Sequence, residues 1–326
     1  MKIGLMDVDG HNFPNLPLMK LSAYHKAHGD KVEWWGGFNT YDIVYKSKVF
    51  DFTPNVDCPI KAEKVIEGGT GYGKKDKLPQ EVEHIMPDYS IYPRFSEAYG
   101  FLTRGCPRNC KFCIVSQKEG SESKQVADLK EFWSGQKEIK LLDPNLLACR
   151  DHERLLQQLA ASGSRIDFTQ GLDIRMVSHD NAELLLHVNV ENIHFAWDNP
   201  KQDLTWKFQQ FKKFSRIDYR KLTVYVLTNF GSTTEEDLHR IYTLRDLGYS
   251  PYVMIFNKGE FVNEKARRMY PLQELLKKFT LEEIDHFKTC WHISRWANSP
   301  RIFKSVERFE DYNPRAKGGS HEIHSQ

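Results

Sequence analysis

Half of the chain's six cysteines fall within eight positions, in the stretch RGCPRNCKFCIVSQ at 104–117. Cys106, Cys110 and Cys113 follow a C-x3-C-x2-C spacing, short enough for one loop to turn three thiolates toward a single metal centre. A closed structural zinc site takes four protein ligands; three ligands and one open position describe a site that binds something further. Thiolates suit zinc or iron–sulfur clusters. The other cysteines, Cys58, Cys149 and Cys290, are widely separated and read as small buried apolar residues. In a zinc knuckle, Cys58, Cys149 or a histidine would supply the fourth ligand.

A second set of candidates comes from the ends of apolar runs. From about Tyr99 the sequence alternates strand-like and helix-like segments. The expected strands are YGFL, IKLLD, RIDFTQ, NIHFAW, LTVYVLT and YVMIF. Between them lie KQVADLKEFW, DHERLLQQLAAS, NAELLLHV, QDLTWKFQQFKKF and EEDLHRIYTLRDLG, with helical periodicity. Strands alternating with helices predict a parallel sheet. The length falls short of eight units, so a partial, TIM-like (β/α)6 barrel is expected. Ligands in such folds sit at the C-terminal strand ends. There the sequence places Asp143 and Asn145, then Gln170, Asp173 and Arg175, then Asp198 and Asn199, then Thr228 and Asn229, then Asn257 and Lys258.

The cysteine spacing, with Phe112 just before the last cysteine and five strand–helix units to follow, resembles the radical S-adenosylmethionine superfamily. The resemblance implies that Cys106, Cys110 and Cys113 hold three irons of a 4Fe–4S cluster and that S-adenosylmethionine chelates the fourth. It implies reductive cleavage of that cofactor to a 5′-deoxyadenosyl radical, which takes hydrogen from a substrate the sequence does not name. It also implies an external electron donor such as flavodoxin or ferredoxin. Asp143 and Asn145 occupy the place of the contacts to the amino-acid part of the cofactor, although DPN stands where the family more often has glycine-glycine-glutamate. Arg175 and Asp198 look like contacts to ribose or carboxylate, Thr228 is a further rim candidate, and the Phe112 backbone would lie near the adenine. GSTTEED at 231–237 is similar to the turn after the fifth strand in many members, and it also reads as a helix start capped by Thr233 or Thr234.

The expected organisation has four parts: a small Rossmann-like α/β unit with linker at 1–92, the barrel core at 93–261, a helical cap at 262–312 and a polar tail at 313–326. KIGLMDV, KVEWW, YDIVY and KVIEGG read as strands, NLPLMKLSAYHKAHG as a helix stopping at Gly29, and LPQEVEHIMPDYSIYP as a linker. An α/β unit ahead of the cysteine loop resembles radical enzymes with a cobalamin-binding domain. The lower-ligand motif Asp-x-His-x-x-Gly is incomplete here, with Asp9 and His11 but no glycine, which argues against cobalamin. GGTGYGKK at 68–75 nearly spells a phosphate loop, but Lys75 replaces the hydroxyl residue, so a glycine turn is expected. KARRMYPLQELLKKF and LEEIDHFKTCWHISRWA read as C-terminal helices, with His286 and His292 as packing or surface residues, and His321 and His324 lie in the tail.

Composition bounds the rest. With 46 basic against 44 acidic residues in 326, there is no global attraction to nucleic acid or to an anionic membrane. No apolar run is long enough to span a bilayer and the start lacks the pattern of a secretory signal, so a cytoplasmic protein is expected. There, clustered cysteines point to metal or redox chemistry rather than to bridges. The competing reading is a zinc-stabilised nucleic-acid-binding protein without catalytic activity. It would use the basic and aromatic C-terminus, where Arg295, Arg301 and Lys304 stand among Trp291, Trp296 and Phe303; interleaved acids argue instead for a solvated helix face.

Overall fold

The computed structural model describes residues 1–74, 76–263 and 266–314. Lys75, at the end of the glycine-rich turn, and residues 315–326, with His321 and His324, lie outside them. The chain divides into two compact units. The first is Met1–Leu172 with Glu183–Glu191; the second is Asp173–Ala182 and the residues from Asn192 onward.

The first unit begins with a four-stranded parallel sheet, in order β2-β1-β3-β4, formed by β1 (Lys2–Asp7), β2 (Lys31–Trp34), β3 (Tyr41–Ser47) and β4 (Ala62–Gly68). Helix α1 (Leu16–Ala27) joins β1 to β2. Asn15 caps it by accepting from the Leu18 amide, and Pro17 stands in its first turn. Ile3 and Leu5 pack with Leu18 and Leu21 on one face of the sheet. On the other face, Met6, Tyr41 and Val44 are covered by Val56 and Ile60 from the β3–β4 connection, so a loop does what a second layer of helices does in larger parallel sheets.

The proline-rich stretch expected as a linker is packed. A short helix, α2 (Gln80–Glu83), buries Val82, and Asp88 caps a 3₁₀ turn at Tyr89–Ile91. The Tyr92 hydroxyl donates to Asp7 at 2.8 Å, and the Tyr89 hydroxyl to the Phe132 carbonyl at 2.5 Å. Proline content predicted a break in helix, but buried aromatic rings with partnered hydroxyls hold the segment down.

All six expected strands of the alternating region are present. β5 (Ala98–Gly100), β8 (Glu138–Leu141) and β9 (Arg165–Phe168) run parallel in the first unit, with α4 (His152–Ser162) between β8 and β9. In the second unit β10 (Val190–Ala196), β11 (Leu222–Thr228) and β12 (Ser250–Ile255) run parallel, with α6 (Thr205–Ser215) and α7 (Thr234–Asp246) between them. Helix α5 (His179–His187) follows β9. Thr233 caps α7 in a reciprocal box with Glu236, as GSTTEED predicted.

Two expected helices differ. KQVADLKEFW forms strand β7 (Lys124–Gln125) and a 3₁₀ turn at Leu129–Glu131. β7 pairs antiparallel with β6 (Thr103–Arg104), and the Asp128 side chain gathers Gln125, Arg154 and Gln158. Tertiary hydrogen bonds outcompete helical periodicity there. The described part of KARRMYPLQELLKKF holds one helix, the short α9 (Leu272–Leu275), which starts after Pro271. Short α8 (Lys258–Phe261) precedes a two-stranded ladder of β13 (Val262–Asn263) and β14 (Arg268–Met269). Helix α10 (Leu281–Ala297) buries Ile284, Phe287, Cys290, Ile293 and Trp296, and α11 (Pro300–Ser305) follows. Among the described residues no helix is long and apolar enough to cross a membrane.

Candidate metal centre

The loop that carries the cysteines leaves β5 and is gripped at its base. β6 leads into it, and α3 (Val115–Glu119) ends it. The β6–β7 pairing closes the two ends, and the Cys106 amide donates to the Gly120 carbonyl at 3.1 Å. Gly105 sits at φ +89, where a Cβ would lie 2.1 Å from the Glu122 carbonyl oxygen. Only glycine fits that approach. The Arg104 guanidinium lies 3.9 Å from the centre of the Phe101 ring and reaches Glu119 at 3.5 Å and Glu83 at 3.7 Å. Inside the loop, Asn109 takes a left-handed turn at φ +47, and the Cys113 amide donates to the Cys110 carbonyl at 2.9 Å.

The three thiols are partly exposed and form no disulfide. Three thiolates with one open position can serve zinc or an iron–sulfur cluster. The loop is also rich in cations, with Arg104, Arg108, Lys111 and Lys118. Partial burial pulls the Lys118 ammonium below its ordinary pKa.

Asp143 and Asn145, from the turn after β8, reach this loop in different ways. Asp143 accepts from the amides of Leu102 at 3.1 Å and Thr103 at 2.5 Å, and from the Thr103 hydroxyl at 2.7 Å. Its carboxylate therefore fixes the backbone at the foot of the cysteine loop. Burial pushes it up to about 6, against those hydrogen bonds, which pull it down. Asn145 is buried, and its amide Nδ2 donates to Cys106 Sγ at 3.5 Å. Phe112 is half-buried in the loop.

The remaining rim candidates lie in the second unit. Arg175 donates through Nε to Asp173 at 2.6 Å and through its fork to Gln202 at 3.4 Å. Burial pushes Asp198 up to about 6, with Arg240 and then Arg175 pulling the other way. Thr228 is fully buried and donates to the Met254 carbonyl at 3.0 Å, so its hydroxyl fastens β11 to β12. Sequence reasoning missed Arg240. It is almost fully buried on α7, pairs with Asp237, and donates to the carbonyls of Trp197 at 2.6 Å, Asp198 at 3.2 Å and Leu227 at 3.0 Å. It thus gathers the C-terminal ends of β10 and β11. Its signal in the sequence was only an Asp–Arg spacing of three on a helix, which reads equally as a surface pair.

No family model matches the chain, and no curated protein matches it. Solved structures do. The radical S-adenosylmethionine methyltransferase TsrM from Kitasatospora setae, with cobalamin and a [4Fe-4S] cluster bound, superposes with a TM-score of 0.59 at 11% identity, over 78% of this chain and 74% of that one. The same enzyme with tryptophan substrate and the S-adenosylmethionine analogue aza-SAM bound superposes with a TM-score of 0.57 at 11% identity, over 78% and 72%. The chain has the fold of a radical S-adenosylmethionine methyltransferase, the superfamily that its cysteine loop resembles.

Proposed function

We propose that this protein is a radical S-adenosylmethionine enzyme of the transferase type. The observation that carries the proposal is the three-thiol loop, pinned at its base after the first strand of a parallel α/β core, with an amide donor directed at one of its sulfurs. Cys106, Cys110 and Cys113 would hold a 4Fe–4S cluster and leave one iron for S-adenosylmethionine. When bound, the cluster would supply the electron for reductive cleavage of the sulfonium to methionine and a 5′-deoxyadenosyl radical. The chain's own residues hold and shield. Asp143 fixes the foot of the loop, Asn145 donates toward the Cys106 sulfur, and the Phe112 backbone lines the adenine side. Arg175, Asp198 and Thr228 stay as proposed contacts of the cofactor or substrate, on the rim of a partial (β/α)6 barrel. The cationic loop suits an acidic electron donor of the flavodoxin or ferredoxin kind, and clustered cysteines suit a reducing cytoplasm.

Cobalamin belongs in the proposal, against the expectation drawn from the incomplete motif, because a structure sharing the fold has it bound. Its place here would be the rim at the C-terminal ends of β1–β4. There the Phe50 and Phe52 rings stack at 5.0 Å and are exposed, and Gly69, at φ +101, packs against the Lys48 carbonyl where a Cβ would fall 2.2 Å away. These flat, apolar features suit a macrocycle lying against them. His11, with its ring centre 4.2 Å from that of Trp34 and its Nδ1 4.0 Å from Asp7 Oδ2, would be the nitrogen donor on that rim.

The test is anaerobic. Reconstituted, reduced protein given S-adenosylmethionine is expected to form 5′-deoxyadenosine, and Cys110→Ala to form none. Zinc on the loop with no iron taken up would sink the reading. Hydroxocobalamin is expected to co-elute with the protein in gel filtration; failure there removes cobalamin alone.

A further inference from the structure

A second set of metal-ligating side chains lies in the other unit, where the expected function makes no use of it. Asp237, His286 and Cys290 each offer a ligand atom, and all three atoms lie within 4.8 Å of one another. Cys290 Sγ is 3.7 Å from Asp237 Oδ2 and 3.5 Å from His286 Nε2. His286 and Cys290 are one turn apart on α10, so they share a face. Asp237 comes from the first turns of α7, and both Asp237 and Cys290 are fully buried.

We infer that this triad is a binding site for a divalent metal ion of the zinc type, distinct from the cysteine loop. The donor set is one thiolate, one imidazole and one carboxylate oxygen, the mixture that zinc takes with three protein ligands and an open fourth position. The arrangement frees the right atoms. Arg240 takes Asp237 through Oδ1, which leaves Oδ2 directed at the thiol. Ser232 is buried, and its side chain lies within reach of the Asp237 carboxylate. It offers a further oxygen, either to the ion or to a water on it.

Binding releases the Cys290 proton to solvent and changes no oxidation state. Without a cation, burial and the neighbouring carboxylate hold that thiol protonated, pushed up to about 12; a bound metal reverses that preference. The ion would tie α10 to the start of α7 through three side chains that the sequence places 53 positions apart at the extreme.

The test must keep the cysteine loop from answering for the triad. The full chain carrying Cys106→Ala, Cys110→Ala and Cys113→Ala together is titrated with cobalt(II), the spectroscopic stand-in for zinc. The expected result is a near-ultraviolet thiolate-to-cobalt charge-transfer band saturating at about one equivalent and displaced by zinc. Adding His286→Ala, a half-exposed position where folding tolerates the change, is expected to weaken affinity at least about tenfold, and Cys290→Ser to abolish the band. A folded triple variant, judged by circular dichroism, that shows no thiolate band would overturn the inference. So would a band that persists unchanged with both His286→Ala and Cys290→Ser.

Discussion

Asp143 acts on the cysteine loop through the backbone that leads into it. Its two oxygens carry three hydrogen bonds from Leu102 and Thr103, and each is a bond to the stem of the cysteine loop. An asparagine there presents an amine where three donors converge. Asp143→Asn is expected to cost about 1–3 kcal/mol and to lower iron loading in proportion. The pH dependence has a fixed sign. Because burial raises the native pKa from 3.8 to about 6, the folded state binds this proton more tightly than the unfolded chain. The group's contribution to stability is complete below about pH 4 and is lost as pH rises to about 6. Melting temperatures of wild type and Asp143→Asn should therefore draw apart or together only within that window and run parallel above it. Gly105→Ala meets a different obstacle. The new Cβ would press on the Glu122 carbonyl at a left-handed φ, which strains the loop by about 1–3 kcal/mol. The expected outcome is a folded protein by circular dichroism with reduced iron retention on dialysis.

Among the elements, α7 holds the most together. Its Arg240 donates to carbonyls at the ends of β10 and β11 while pairing with Asp237. Removing one partner of a buried pair leaves an uncompensated charge, so Arg240→Ala is expected to destabilise the chain by about 3–5 kcal/mol in urea unfolding. A change below about 1 kcal/mol would mean that the pair is solvated in solution. The elements also mark what the sequence could tell. Six strands and the α7 cap were legible because period and capping chemistry are local. The Lys124–Gln125 strand was not, because its partner, Thr103–Arg104, lies some twenty residues away. Nor was the packed linker, whose order comes from the Tyr92–Asp7 bond across 85 positions. Cys106, Cys110 and Cys113 were legible because their ligand spacing is itself a local pattern. Cys290 was read as a small apolar residue; its burial agrees, but Asp237 and His286 beside it come from elements whose approach no spacing announces.

At the scale of the whole molecule, the near-equality of 46 basic and 44 acidic residues sets an expectation about partners. A protein that neutralises many phosphates shows a steep fall of affinity with salt. Here the expected slope is shallow, and duplex DNA should not compete for the cysteine loop in a salt-titrated binding assay. The fold shared with a methyltransferase that carries a [4Fe-4S] cluster makes the cysteine loop the centre on which the account rests.

Electron paramagnetic resonance of the anaerobically reconstituted, reduced protein, with and without S-adenosylmethionine, tests that centre most directly. The expected result is about four irons per chain, a reduced-cluster signal whose shape changes when S-adenosylmethionine is added, and loss of that signal in Cys110→Ala. A folded protein that takes up one zinc on the loop, or a cluster whose signal ignores S-adenosylmethionine, would contradict it.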